Sequence, residues 1–255
     1  MKKVFAVLGI LLGLTLSIHA AEIRVAAAAD LKFALDELVQ EFQTEQPAIK
    51  VSVTYGSSGN FYAQLQNQAP FDLFFSADIQ YPQKLAAAGL AWETNVFTYG
   101  VGRIVVWTLT NAPVDVEKNG MQALLDAAVK KIAIANPEHA PYGKAAVAAM
   151  KSLKVYDQAA PRLVLGENIG QTAQFVQSGS ADIGIIALSL AIAPQMRGAG
   201  RYWEIPLDDY PKMEQGGIIL SGTKEVDAAR AFRDFVLGEH GRAVLKRYGF
   251  FLPEK

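Results

Sequence analysis

The chain has no cysteine. That absence excludes a disulfide framework, a cysteine-ligated zinc or iron–sulfur site, and a lipoprotein anchored through a cysteine. Histidine is scarce: His19, His139 and His240 are the only three among 255 residues. An excess of one charge is also missing, since 24 Lys+Arg stand against 25 Asp+Glu, so no basic field is built for nucleic acid. What the chain does have is apolar substance, 51% hydrophobic residues against 19% charged ones. That balance excludes a disordered chain and supplies core for one large domain or two smaller ones without staples.

Part of the apolar fraction belongs to no fold. Met1, Lys2 and Lys3 make a short basic start, and residues 4–18 carry no charge. A run of about 15 residues fits a secretory signal and falls short of the roughly 20 needed to cross a bilayer. Ala20 and Ala21 are small enough for a cleavage site, so residues 1–20 are expected to be a signal peptide. Loss of Lys2 and Lys3 leaves 22 basic against 25 acidic residues, a mature charge of −3. The expected product is an exported, periplasmic protein.

Hydrophobic period divides the rest. Strands are predicted at 22–28, 49–55 and 73–75, and helices at 31–42, 60–68 and 81–88. A β-α-β-α-β-α order implies a largely parallel sheet. One long apolar strand is predicted at 98–109 and a helix at 119–130. A second alternation follows, with strands at 131–135, 163–165 and 182–187 and helices at 142–152 and 170–177. Further strands are read at 201–205 and 217–221, and helices at 224–237 and 241–247. Trp92, Trp107 and Trp203 show no helical pattern and are read as core. With two alternations and no flexible linker, two α/β lobes are expected: 21–100 with 204–255, and 101–203.

In parallel α/β sheets ligands bind beyond the carboxyl ends of strands, where helices begin. Four such junctions stand out: Ala28-Ala29-Asp30, Gly56-Ser57-Ser58-Gly59, Pro141-Tyr142-Gly143 and Asn168-Ile169-Gly170. Each offers unpaired backbone N–H groups and the positive end of a helix dipole. Two come from each lobe, and together they can surround an anion without lysine or arginine. Taken singly, each is an ordinary capped helix start.

These residues carry a resemblance. Val25-Ala26-Ala27-Ala28-Ala29-Asp30-Leu31, Tyr55-Gly56-Ser57-Ser58-Gly59, the 69–78 segment with Phe75-Ser76-Ala77-Asp78, the 136–143 segment from Asn136-Pro137 to Tyr142-Gly143, Glu167-Asn168-Ile169-Gly170 and Arg247-Tyr248-Gly249-Phe250 run in order along the chain. In them the chain resembles the molybdate-binding periplasmic proteins of ABC transporters. The resemblance implies an α/β, two-lobe, type II periplasmic binding fold, each lobe a mostly parallel sheet flanked by helices, closing over one tetrahedral oxyanion. It implies capture of molybdate, and of tungstate comparably, by neutral donors. It also implies a monomer that meets the permease and ATPase subunits of an importer, with no cofactor, no nucleic acid and no catalysis, molybdenum being present only inside the oxyanion.

Carried over by position, Ser58 donates its hydroxyl and amide, Ala29 and Asp30 lie on the first binding turn, and Tyr142 and Ile169 donate backbone N–H from the second lobe. Two positions depart from the family pattern. Where many members have a serine or threonine hydroxyl, this chain has Ala29 followed by Asp30. The Asp30 carboxylate either caps its own helix and points away, or accepts a proton from an oxyanion such as hydrogen phosphate. Where some members have a tyrosine hydroxyl, this chain has Ala187, and Tyr142 is expected to supply a substitute hydroxyl.

Other readings stay open at the level of sequence. Another oxyanion, sulfate or phosphate, fits the same turns. A secreted hydrolase would use Ser58 with His139 or His240 as base, although no Gly-x-Ser-x-Gly elbow surrounds Ser58. Glu138-His139 offers two adjacent metal ligands without a third. Asp208-Asp209 reads as a surface turn.

Overall fold

A computed structural model describes residues 21–93 and 96–252. The expected signal peptide lies outside the described residues. The first strands and helices are β1 (Ala21–Ala28), α1 (Lys32–Glu45), β2 (Ile49–Gly56), α2 (Ser58–Gln66), β3 (Leu73–Ser76) and α3 (Gln80–Ala87). The buried residues of α1, Ala34, Leu35, Leu38 and Phe42, form one stripe, the pattern of a helix lying on a sheet. Phe42 meets the rings of Phe232 and Phe235 edge-on at 5.1 and 5.4 Å. Both phenylalanines belong to a helix near the carboxyl end, so the chain's last segment is packed against its first.

The apolar run expected as one strand at 98–109 is two: β4 (Phe97–Gly102) and β5 (Ile104–Leu109). They belong to different sheets, with Arg103 between them. Neither half exposes a polar stretch, β4 being partly and β5 almost wholly buried, so the hydrophobic pattern carries no mark of the change of sheet. The helix expected at 119–130 is also shorter. It consists of α4 (Val116–Asn119) and a 3-10 stretch, Gly120–Leu125. Gly120, at φ +56, turns the chain out of the α-helix.

The second alternation comprises β6 (Ile132–Ala135), α5 (Pro141–Ser152), α6 (Tyr156–Ala159), β7 (Leu163–Gly166), α7 (Ile169–Gln177), β8 (Ile183–Ala187), α8 (Leu188–Ala191) and β9 (Gly200–Glu204). The chain returns through β10 (Met213–Ile219), α9 (Val226–Leu237) and α10 (Glu239–Arg247).

Two five-stranded sheets result, in the orders β2-β1-β3-β10-β4 and β7-β6-β8-β5-β9. They are mixed rather than mostly parallel. β1 pairs parallel with β2 and β3, whereas β10 runs antiparallel to β3 and β4. In the second sheet β6 pairs parallel with β7 and β8, whereas β5 runs antiparallel to β8 and β9. In each sheet one strand runs against the other four: β5, by which the chain enters the second lobe, and β10, by which it returns to the first. Arg103 and Glu204, one at each passage, form an ion pair of 3.1 Å.

Of the tryptophans, Trp107 is fully buried but Trp92 is 49% exposed, against the expectation of a core residue. Trp92 bonds through its amide to the carbonyl of Ile219, so its backbone is tied to the sheet margin while its ring faces solvent. No helix among the described residues is long and apolar enough to cross a membrane.

Candidate functional site

Parallel register brings the expected turns side by side. Ala28 pairs with Gly56 at the ends of β1 and β2, and Ala27 pairs with Phe75 near the end of β3. The chain therefore leaves all three strands at one edge, at Ala29, Ser57 and Ala77. In the other lobe Ala135 pairs with Gly166 at the ends of β6 and β7, which sets the starts of α5 and α7 next to each other. The two edges face one another. A cavity of about 190 Å³ lies between them. It is lined by residues 28–30, 56–58 and Ala77 from one lobe and by residues 140–142 and Ile169 from the other. All five residues singled out in the sequence, Ala29, Asp30, Ser58, Tyr142 and Ile169, border this one space, and no lysine or arginine does.

Ser58 is fully buried, and its Oγ accepts a 2.9 Å hydrogen bond from the Ala77 amide. A hydroxyl has one proton to donate. With its oxygen held as an acceptor by Ala77, that proton is left for whatever occupies the cavity. The cap of α2 falls to Ser57, whose Oγ accepts from the Asn60 amide at 3.4 Å. Ser58 thus opens the helix, where amides lack intrahelical acceptors. Tyr142 and Ile169 occupy the same kind of position, in the first turns of α5 and α7. The Ile169 side chain is buried and apolar, so only its amide is chemically useful to an anion.

The Asp30 carboxyl has an environment that the sequence did not foretell. It is 1% exposed, and its Oδ2 accepts from the Tyr142 hydroxyl at 2.9 Å and from Gln215 Nε2 at 2.9 Å. Gln215 Nε2 also donates to the Tyr142 hydroxyl oxygen at 3.0 Å. Three residues from β10, α5 and the turn after β1 therefore join the two lobes. Burial pushes the Asp30 pKa up from 3.8 to about 6, against the opposing hydrogen bonds of Gln215 and Tyr142 and the nearby amides of Asp30 and Leu31. Burial and the Asp30 charge push the Tyr142 hydroxyl well above its ordinary value, which keeps it a donor. That donation goes to Asp30. The hydroxyl expected to replace a missing anion donor is thus engaged by Asp30 in this geometry.

Further contacts cross the cleft, and the sequence reading had missed them. The Gly59 amide donates to the His139 carbonyl at 2.9 Å, Ser57 Oγ lies 2.9 Å from His139 Nδ1, and Asn60 Nδ2 donates to Glu167 Oε1 at 2.9 Å. Ser189 Oγ donates to the Asp30 carbonyl at 2.8 Å. Their signal in the sequence was proximity to the turns, but hydrogen bonding between residues 82 positions apart leaves no local pattern. His139 thus meets Ser57 rather than Ser58, and His240 pairs with Glu41 at 2.7 Å on the outer face of the first lobe. Neither histidine stands as a base for Ser58. Glu138-His139 gains no third ligand: no group of three His, Cys, Asp or Glu suited to a metal ion occurs among the described residues.

Residues 23–251 match the family model described as bacterial extracellular solute-binding protein. The molybdate-binding protein ModA of Rhodobacter capsulatus is 35% identical over 243 residues, 95% of this chain and 93% of that protein. Among solved structures, the periplasmic molybdate-binding protein of Azotobacter vinelandii superposes with a TM-score of 0.84 at 33% identity, over 91% of this chain and 100% of that one. The sulfate-binding protein SubI of Mycobacterium tuberculosis has the same fold, with a TM-score of 0.71 at 16% identity over 90% of this chain and 86% of that one. With two α/β lobes facing each other across one small cleft, and the family match running through both, this chain belongs to the bacterial extracellular solute-binding proteins.

Proposed function

We propose that this protein is a periplasmic receptor that captures molybdate, and tungstate comparably, and hands it to the permease and ATPase subunits of an ABC importer. It works as a monomer, needs no cofactor and performs no catalysis. The observation that carries the reading is the Ser58 hydroxyl. Its oxygen is held by Ala77, its proton is free, and it borders a cavity otherwise walled by helix starts.

A dehydrated anion is costly to bury unless its oxygens are hydrogen-bonded. Amide and hydroxyl donors to a charged oxygen make stronger bonds than neutral pairs. Donors fixed at helix starts need little reorganisation, and dipoles supply the positive field that lysine or arginine would otherwise provide. Neutral donors also favour a fully deprotonated tetrahedral ion, which accepts at every oxygen. The relatives named for molybdate support that choice over sulfate or phosphate, because the fold itself is shared with a sulfate-binding protein.

Isothermal titration with molybdate, tungstate, sulfate and phosphate tests the proposal. Saturable binding of molybdate and tungstate, with sulfate and phosphate at least about a hundredfold weaker, roughly 2.8 kcal/mol, is the expected result. Preferential binding of sulfate or phosphate would overturn the specificity.

A further inference from the structure

Asp30 lines the cavity and its carboxyl is nearly free of solvent, yet the hydrogen bonding around it is incomplete. Oδ2 has two donors, Tyr142 and Gln215. Oδ1 has no well-formed hydrogen bond, the amides of Asp30 and Leu31 lying near the carboxyl without meeting it in good geometry, and the buried Oε1 of Gln215 has none. Two acceptor oxygens thus sit unsatisfied in one buried cluster, an arrangement that native interiors rarely tolerate. The cluster is also built to fit. A Cβ on Gly102, in the strand that leads to the other lobe, would lie 2.4 Å from Gln215 Nε2 and 2.5 Å from the Tyr142 hydroxyl.

The groups facing the carboxyl come from several elements: Tyr142 on α5, Gln215 on β10, Tyr99 on β4, and the amides of Asp30 and Leu31. Ser189 on α8 donates to the Asp30 carbonyl. The Tyr99 hydroxyl donates to the Ser76 carbonyl and is turned to other use. The chief influences on the carboxyl are burial and these neutral donors, and no lysine, arginine or histidine is among its hydrogen-bond partners. An ionised Asp30 would therefore face a captured dianion with no cation between them.

Building on the oxyanion-receptor reading above, we propose that Asp30 is a specificity-setting residue that enters the closed, anion-bound state as a neutral carboxylic acid, so that the protein takes up one proton for each dianion it captures. The proton comes from solvent and forms an O–H bond on the carboxyl. No bond of the anion breaks. On Oδ1 the added hydrogen turns an unsatisfied acceptor into a donor, and it removes the like charge beside the anion. Geometry and electrostatics agree. Burial alone already lifts the Asp30 pKa to about 6, and a neighbouring dianion lifts it further. Opening the cleft returns the group to water and toward its ordinary value, about 3.9.

The sign of the linkage follows. Between the low pKa of the open form and the raised pKa of the complex, the bound state holds one proton more than the free state. Affinity then falls about tenfold for each pH unit of increase, and levels off above the pKa of the complex.

The test is titration with molybdate and tungstate from about pH 6 to about pH 8.5, where both free anions are dianions, in buffers of different ionisation heat, for the wild type and Asp30→Asn. The expected result is uptake approaching one proton per anion at the acidic end of the range, fading as pH rises, and a flat affinity profile in the variant. His139 faces Ser57 across the cleft in both proteins, so the difference between them isolates Asp30. Anion binding without proton uptake in the wild type, or uptake undiminished in Asp30→Asn, overturns the inference and leaves the receptor reading standing. Absence of binding by either anion overturns the receptor reading and this inference with it. Should the variant fail to fold, the proton count of the wild type decides alone.

Discussion

The two walls of the cleft do their work with different parts of the chain. The first lobe presents side-chain chemistry: the Ser58 hydroxyl, the Ser57 hydroxyl and the Asp30 carboxyl. The second presents mostly backbone, the helix starts at Tyr142 and Ile169, with the His139 carbonyl and the Glu167 carboxyl as latches. Substitutions on the first wall change which groups can donate. Substitutions on the second matter chiefly where they move the backbone.

Two glycines make the sharpest test of this contrast. A Cβ on Gly143 would lie 2.1 Å from the Ala135 carbonyl oxygen, within the second lobe, so no motion of the lobes relieves the clash. Gly143→Ala should destabilise the protein by about 3 kcal/mol or more, read as a lowered melting temperature with or without anion. A Cβ on Gly59 would lie 2.4 Å from the His139 carbonyl oxygen, but that atom is across the cleft. Opening relieves this clash, and alanine suits the helix better than glycine. Gly59→Ala should therefore leave the melting temperature of the ligand-free protein nearly unchanged while weakening molybdate by roughly 30–150-fold, about 2–3 kcal/mol. Equal damage to both properties would show that the two lobes do not act as separable units.

Smaller effects follow on the side-chain wall. Ser58→Ala removes a donor to a charged oxygen and leaves the Ala77 amide without its acceptor. A loss of about 1–3 kcal/mol in molybdate affinity is expected by titration, and unchanged affinity would remove Ser58 from the site. Ser57→Ala breaks the contact with His139 and a long cap bond. Its expected effect on affinity is about 0.5–1 kcal/mol, through closure. The smallest change is expected at Ile169→Val, where the amide is kept: affinity should stay within about twofold, although the lost methylene costs roughly 0.5–1.5 kcal/mol of stability. A larger loss of affinity would mean that the second wall also works through side chains.

The alternation of elements was readable because burial and helical or strand period are local properties. β1, α1 and β2 fall within a few residues of where the pattern puts them. The split of residues 98–109 was not readable, since a buried strand looks the same in either sheet. Nor was the direction of β10, which depends on the path of the chain through the other lobe. Within the site, Ser58 and the helix starts were visible as turn motifs. Gln215 was not: it lies just ahead of the strand expected at 217–221, and only folding brings it within 2.9 Å of Asp30, 185 positions away.

By itself the sequence determined the kind of chemistry that was possible. Without cysteine and with little histidine, it excluded thiolate sites, and it offered four helix-start turns whose amides and hydroxyls can hold an anion, as the family resemblance implies. It also placed Asp30 where a carboxylate is unexpected. What that carboxylate does was decided only by tertiary structure. The same residue at an exposed helix start would be a solvated cap of ordinary pKa. Enclosed by Tyr142 from one lobe and Gln215 from the other, it is desolvated without a cation, and burial moves its proton affinity toward neutrality. Charge is written in the sequence, but solvation is a property of the closed cleft.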